Sequence, residues 1–321
     1  MSLPSRVNIV EVGPRDGLQN EKLTLSPQIR AELINRLAAA GLTRIEAGSF
    51  VSPTAVPQMA HTDETLSLVL NQNLRLAVLV PNLRGLADAL AAGAREIAVF
   101  AAASETFSKR NINCSIEESL ERYAEVVAEA RRNGLLARGY VSCVLGCPYE
   151  GAVDSAAVES VASALLEMGC FEVSLGDTIG VGAPLQARRL VERVARIAPL
   201  DKIAVHFHDT YGQALANIFA CLEAGVSIVD GSVAGLGGCP FATGAAGNVA
   251  TEDVVYMLQR MDIETGVSLD RLLAAGAFAC AQLDRAPASR VAQAYGACGM
   301  AGDSLSTGST ATDLRSTNRG K

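Results

Sequence analysis

The chain has 321 residues, 49% of them apolar, and a net charge of −7 from 27 basic and 34 acidic side chains. That supplies a large aliphatic core without a basic stripe, which excludes a phosphate-backbone partner such as nucleic acid. No stretch reaches the roughly 18 consecutive apolar residues of a membrane span and no charged-then-apolar leader opens the chain, so no membrane partner is expected and the expected address is the cytoplasm.

In chain order, apolar β-branched runs predict strands at 7–12, 43–48, 75–80, 95–101, 138–145, 170–176, 202–208 and 226–232. Helical spacing fills the segments between them. After the first strand, Ser26 can cap a helix, Pro27 suits its first position, and Gly41 ends it. Ser115 and Glu118 have capping-box spacing for a helix that closes before Gly134. The segments AAGLTRIEAGS, AAGAREIAVF, EMGCFEVSLGD and EAGVSIVDGS repeat one pattern, a helix end, a glycine and a buried strand. Eight such steps, with no dinucleotide loop after the first strand, predict a TIM-type (β/α)8 barrel.

Past Ala250 a helix runs through Met261, and an amphipathic stretch at about 268–283 should pack outside the barrel. The expected domain covers residues 1–300, and the Ser-, Thr- and Gly-rich segment 301–321 reads as a disordered tail. The eight cysteines lack the dense spacing of a disulfide scaffold and read as reduced thiols, with Cys143 and Cys147 as packing residues rather than metal ligands.

Active sites of such barrels lie at the carboxyl ends of the strands. VEVGPRDG puts Arg15 and Asp16 beyond the first strand, RIEAGSF puts Glu46 and Ser49 at the end of the second, and EVSLGDT puts Asp177 and Thr178 at the end of the sixth. VHFHD places His206 and His208, two of the three histidines, on one face of the seventh. A histidine pair of this kind often only lines a barrel, but at the rim, with Asp16 nearly adjoining, it can hold one ion. Asn248 could add an amide oxygen, or it could cap a turn. Nitrogen and oxygen ligands without thiolate suit Mg²⁺ or Mn²⁺ about as well as Zn²⁺. The glycine-rich loop 233–248 reads as a lid carrying Cys239, an acid–base group or a small apolar filler. Arg15 could pair with Asp16, Glu46 or Asp177, yet so many charges in one place favour a charge-handling site.

The motifs EVGPRDGLQNEK, SFVSPTAVPQM, KRNINCSIEESL, RGYVSCVLGCPYEG, SLGDTIGVG, HFHDTYGQALAN and SVAGLGGCPFATGAAGNVATEDVVYML resemble those of the hydroxymethylglutaryl-CoA lyase family, over roughly residues 6 to 295. RDG and H-x-H are shared with wider aldolases and Claisen-type synthases, whereas GLGGCPF together with CPYEG points at the lyases. The resemblance implies retro-Claisen cleavage of 3-hydroxy-3-methylglutaryl-CoA to acetoacetate and acetyl-CoA, in leucine degradation and ketone-body formation, by a homodimer. It implies Asp16, His206, His208 and Asn248 as ligands of a divalent metal ion, Mg²⁺ or Mn²⁺. It places Arg15, Glu46 and Cys239 at catalytic positions.

The proton acceptor is open between His206 and a water held by Glu46 or Asp177, and Cys239 is the expected proton donor to the enolate carbon. Ser49, Ser174 and Thr178 are candidates for binding the acyl portion of the acyl-CoA thioester, and Lys22 and Arg138 for its CoA phosphates or pantetheine. The pattern departs after Ala294, so no regulatory role carries over to Cys298. Two enzymatic alternatives remain, a longer 3-substituent such as isohexenyl and a Claisen-type synthase joining acetyl-CoA to a 2-oxo acid. The synthase should need an additional domain. A metal-binding protein without catalysis would not be expected to keep both Arg15 and a lid cysteine.

Overall fold

The computed structural model describes residues 3–70, 74–238 and 247–299. Eight parallel strands close into a barrel in simple sequential order: β1 (Asn8–Glu11), β2 (Arg44–Ser49), β3 (Arg75–Leu79), β4 (Glu96–Ala102), β5 (Leu136–Ser142), β6 (Glu172–Asp177), β7 (Ile203–Phe207) and β8 (Ile228–Gly231). The seam is made by β1 against β8, with Asn8 to Glu11 opposite Ile228 to Gly231. All eight expected strands are present. Each sequence run was readable because a parallel strand covered by helices is apolar almost continuously.

Local chemistry sets the helix ends. In the helix Pro27–Ala39 the Ser26 hydroxyl accepts the Ile29 amide, and Gly41 follows with φ of +103°, where a Cβ would meet the Gly266 carbonyl at 2.2 Å. In the helix Ile116–Arg132, Ser115 and Glu118 form the reciprocal capping box that their spacing predicted. The helices Thr251–Arg260 and Leu269–Gln282 continue past β8, and the second packs on Pro27–Ala39, where Arg36 lies 4.4 Å over the Phe278 ring. Helix Arg290–Gly299 was not foreseen; the Asp253 carboxylate accepts the Arg290 and Val291 amides at its start. Segment 301–321 and Cys298's side chain lie outside what is described. No described helix is long and apolar enough to cross a membrane.

The main apolar layer lies between the strands and the surrounding helices, with Ile45, Val78, Ile97, Val141, Leu175 and Val205 facing Leu33, Val126, Leu165 and Ile218 in one buried cluster. The barrel interior is different. Strand register sets Arg138 beside Glu172, Tyr140 beside Ser174, and His206 beside Asp230, so polar side chains stack up the axis toward the carboxyl rim. Cys143 and Cys147 pack with Ala102 and Phe107 in a small buried cluster, and Cys147 Sγ lies 3.0 Å from Ser104 Oγ.

Candidate metal centre

After β1 the chain makes one wide turn, Gly13–Gly17, in which the Gly17 amide reaches back to the Val12 carbonyl at 3.1 Å. Two glycines make this possible. A Cβ on Gly13 would stand 2.6 Å from Glu11 Oε1, and one on Gly17 would stand 2.7 Å from Ser232 Oγ. The turn delivers Arg15 and Asp16 to the mouth of the barrel.

There Arg15 bridges two carboxylates, Nη1 to Asp16 Oδ1 at 2.7 Å and Nη2 to Glu46 Oε2 at 2.8 Å. It also lies over the Tyr140 ring at 5.8 Å, and the Tyr140 hydroxyl donates to Glu46 Oε2 at 3.3 Å. The other oxygen of Asp16 accepts Asn248 Nδ2 at 2.8 Å and faces His206 Nε2 at 3.8 Å. Asp16, His206 and His208 each offer a ligand atom within 4.8 Å of the others, the single such group among the described residues.

These residues fit a divalent cation. His208 Nδ1 is buried without a hydrogen-bond partner, a state that burial penalises unless something else satisfies the ring. Burial followed by the neighbouring His206 pushes the His208 imidazole down to about 4, keeping it a neutral donor. Burial alone would raise the Asp16 carboxyl, but Arg15, His206 and His208 hold it at about 2, so it is ionised. Burial would lower His206, yet the Asp230 hydrogen bond and Asp16 raise it. A divalent ion held here would displace that proton and take two nitrogens and a carboxylate as ligands. Asn248 sits at the same point, and turning its amide about Cβ–Cγ would present Oδ1 in place of Nδ2.

Other expected site residues are placed differently. Glu46 is fully buried beneath Arg15, and burial raises its carboxyl despite the guanidinium. The oxygens of Asp177 accept the Val181 and Gly182 amides at 3.3 and 2.8 Å. Ser49 Oγ accepts the Val51 amide, and Thr178, which lines the cavity, accepts the Cys143 amide at 2.8 Å. Two candidate substrate contacts need correction. Ser174 donates to Asp230 inside the barrel, and Arg138, only 1% exposed, is locked between Glu172 and Asp230 rather than facing the mouth. Lys22 is exposed, and Cys239 lies outside the described residues.

Above the cluster opens a cavity of about 340 Å³. One side is polar, with Arg15, Asp16, Asn20, His206 and His208; the other is apolar, with Val51, Val56, Leu79, Phe100, Phe107 and Ile112. Asn20 Nδ2 donates to the Gly238 carbonyl at 3.0 Å, joining the β1 turn to the start of the glycine-rich loop. Sequence reasoning missed Asn20, Tyr140 and Asp230. For Asp230 a signal existed, a lone charge inside the apolar run of β8.

Comparison with known proteins agrees with this geometry. The HMGL-like family model matches residues 6–278. The chain belongs to the HMGL-like family. As a member of that family, it is similar to the mitochondrial hydroxymethylglutaryl-CoA lyase of Bos taurus, at 55% identity over 91% of this chain and 90% of the relative. It is equally similar, at 55% over 92% of this chain and 98% of the relative, to a Pseudomonas aeruginosa protein named 3-hydroxy-3-isohexenylglutaryl-CoA/hydroxy-methylglutaryl-CoA lyase. The crystal structure of hydroxymethylglutaryl-CoA lyase from Pseudomonas aeruginosa superimposes on this HMGL-like chain with a TM-score of 0.91 and 55% identity, covering 93% of this chain and 100% of that one.

Proposed function

We propose that the protein cleaves 3-hydroxy-3-methylglutaryl-CoA to acetoacetate and acetyl-CoA. The observation that carries this is the Asp16, His206 and His208 group beside Arg15 on the polar side of the cavity. Asp16, His206 and His208, with Asn248, would hold the ion, Mg²⁺ or Mn²⁺ by donor type. When bound, it supplies Lewis-acid polarisation of a substrate oxygen.

The C2–C3 bond breaks as the C3 hydroxyl loses its proton. Its electron pair passes to C2 as the thioester enolate, and C3 becomes the ketone of acetoacetate. Arg15, oriented by Glu46 and Asp16, directs its guanidinium at the enolate oxygen. With Nδ1 of His206 on Asp230 and Nε2 given to the ion, the proton acceptor is a water held by Glu46 or Asp177, and Cys239 returns a proton to C2. Thr178 is a candidate contact for the acyl portion, while Ser49 and Asp177 support the rim backbone. Exposed Lys22 is a candidate contact for the CoA phosphates. The acyl-CoA substrate rests on the names of the relatives.

Turnover of the methylglutaryl thioester is the test, with chelator and then with Mg²⁺ or Mn²⁺ restored. Activity should vanish and return; activity indifferent to thorough metal removal sinks the reading. The apolar wall of Val51, Val56, Leu79, Phe100 and Phe107 favours a second activity on a longer 3-alkenyl chain, read out as acetyl-CoA release from the isohexenyl thioester. We also place the enzyme in the cytoplasm, where the six described free thiols would stay reduced, as a homodimer. Fractionation and solution mass measurement check these two assignments.

A further inference from the structure

Asp230 lies one strand away from His206, and the register of β7 and β8 puts the two residues side by side. Its Oδ2 receives His206 Nδ1 at 3.3 Å, Ser174 Oγ at 2.9 Å and Arg138 Nη1 at 3.0 Å, while Oδ1 receives Arg138 Nη2 at 2.7 Å. A carboxylate held in this bidentate way by a guanidinium has no proton to give, so Nδ1 of His206 must be the donor. The ring is then fixed with its lone pair on Nε2, the atom that faces Asp16.

Behind Asp230 the chain of charges continues. Arg138 Nε binds Glu172 Oε1 at 2.6 Å, and Glu172 is gripped by both Nη atoms of Arg44 at 2.9 and 3.0 Å. Two positive and two negative groups therefore alternate from the lower barrel to the rim. Asp230 and Arg138 are completely buried, and a buried ion pair is a poor way to gain stability compared with apolar filling. Its geometry, by contrast, does something apolar filling cannot do, because it points one acceptor at one ring nitrogen.

From this arrangement we infer that Asp230, braced by Arg138 and Ser174, is a positioning residue that sets the tautomer and ring angle of His206 for metal binding. This inference rests on the metal site proposed above. Outer carboxylates on ligand histidines typically change metal affinity by about 10–100-fold.

The test measures Mn²⁺ binding to the full chain through the electron-paramagnetic signal of free Mn²⁺, together with the visible spectrum of the Co²⁺ form. Asp230→Asn keeps the shape but offers a weaker, neutral acceptor, and should weaken Mn²⁺ binding by about 10–100-fold and alter the Co²⁺ spectrum. Glu172→Gln loosens the same buried chain at its far end and should leave both readouts as in the parent. Ser174→Ala removes one brace and serves if Asp230→Asn does not fold; it should shift the Co²⁺ spectrum and weaken Mn²⁺ binding by less than Asp230→Asn. Unchanged affinity and spectrum in a folded Asp230→Asn or, failing that, in Ser174→Ala overturn the inference. So does equal weakening by Glu172→Gln, which would mark a general packing effect. If the parent protein itself binds no Mn²⁺, the metal reading fails instead, so the two failures are distinguishable.

Discussion

Glu11, at the end of the first strand, and Glu252, in the helix that follows the last, accept the amide protons of consecutive residues: Val233 at 2.8 Å and Ala234 at 2.9 Å. Both carboxyls are buried, and burial pushes Glu11 up to about 7 and Glu252 up to about 8. A carboxyl whose folded value is raised binds its proton more tightly in the folded state. Its contribution is complete below the unfolded value and is lost as pH rises through the folded one. Stability should therefore fall from about pH 4.5 to about pH 8, by up to about 1.4 kcal/mol per pH unit for each group that is ionised in the unfolded chain and still protonated in the folded one, and level off above that. Urea unfolding across that window checks this, and Glu252→Gln should flatten the slope; a midpoint that rises with pH contradicts it.

Arg138 separates the sequence reading from the structural one. If it touched CoA, Arg138→Met would raise KM and leave stability alone. Because it neutralises Glu172 and Asp230 in the barrel interior, the substitution leaves buried carboxylates without their partner and should destabilise the fold by about 3–5 kcal/mol. Chemical denaturation measures the difference, and a variant with parent stability and a raised KM would restore the original expectation.

Gly17→Ala tests the wide turn. The added methyl would meet Ser232 Oγ at 2.7 Å and Leu236 Cβ at 2.8 Å, and neither can retreat because both belong to the packed start of the loop after β8. A loss of about 1–3 kcal/mol is expected, with weaker metal binding as Asp16 is displaced. Thermal unfolding together with a Mn²⁺ titration reads both effects.

At Arg15 the expected change is in turnover rather than in the fold. Lysine keeps the charge but cannot span Asp16 and Glu46 at once while presenting a planar donor to the substrate. Arg15→Lys should lower kcat by about 10²–10³ with little change in KM, as for loss of one oxyanion donor. Steady-state kinetics decide it, and an unaltered kcat would remove Arg15 from the chemistry.

The barrel was legible because each strand is sealed under a helix, and the rim residues Asp16, His206 and His208 because they follow runs whose ends are clear. The same burial hid the interior. With both faces of a parallel strand covered, alternation no longer tells which side chains point inward, so Arg138 and Ser174 passed for mouth residues and Asp230 passed unnoticed. Asp177 shows another limit of the sequence: a carboxylate at a strand end can also serve backbone amides, and the path of residues 180–182 reveals that its oxygens accept two of them.

Asp16 and Asn248 meet across a sequence separation of 232 residues, over the seam where β1 joins β8. The proposed ligand set is thus drawn from the first and last steps of the barrel, with the histidines contributed by the step before the last. During synthesis, no emerging chain can assemble the ligand set until nearly the whole barrel has left the ribosome. On the proposed function, metal capture would then act as a checkpoint on completion: an ion held at Asp16, His206, His208 and Asn248 would report that the ring has closed.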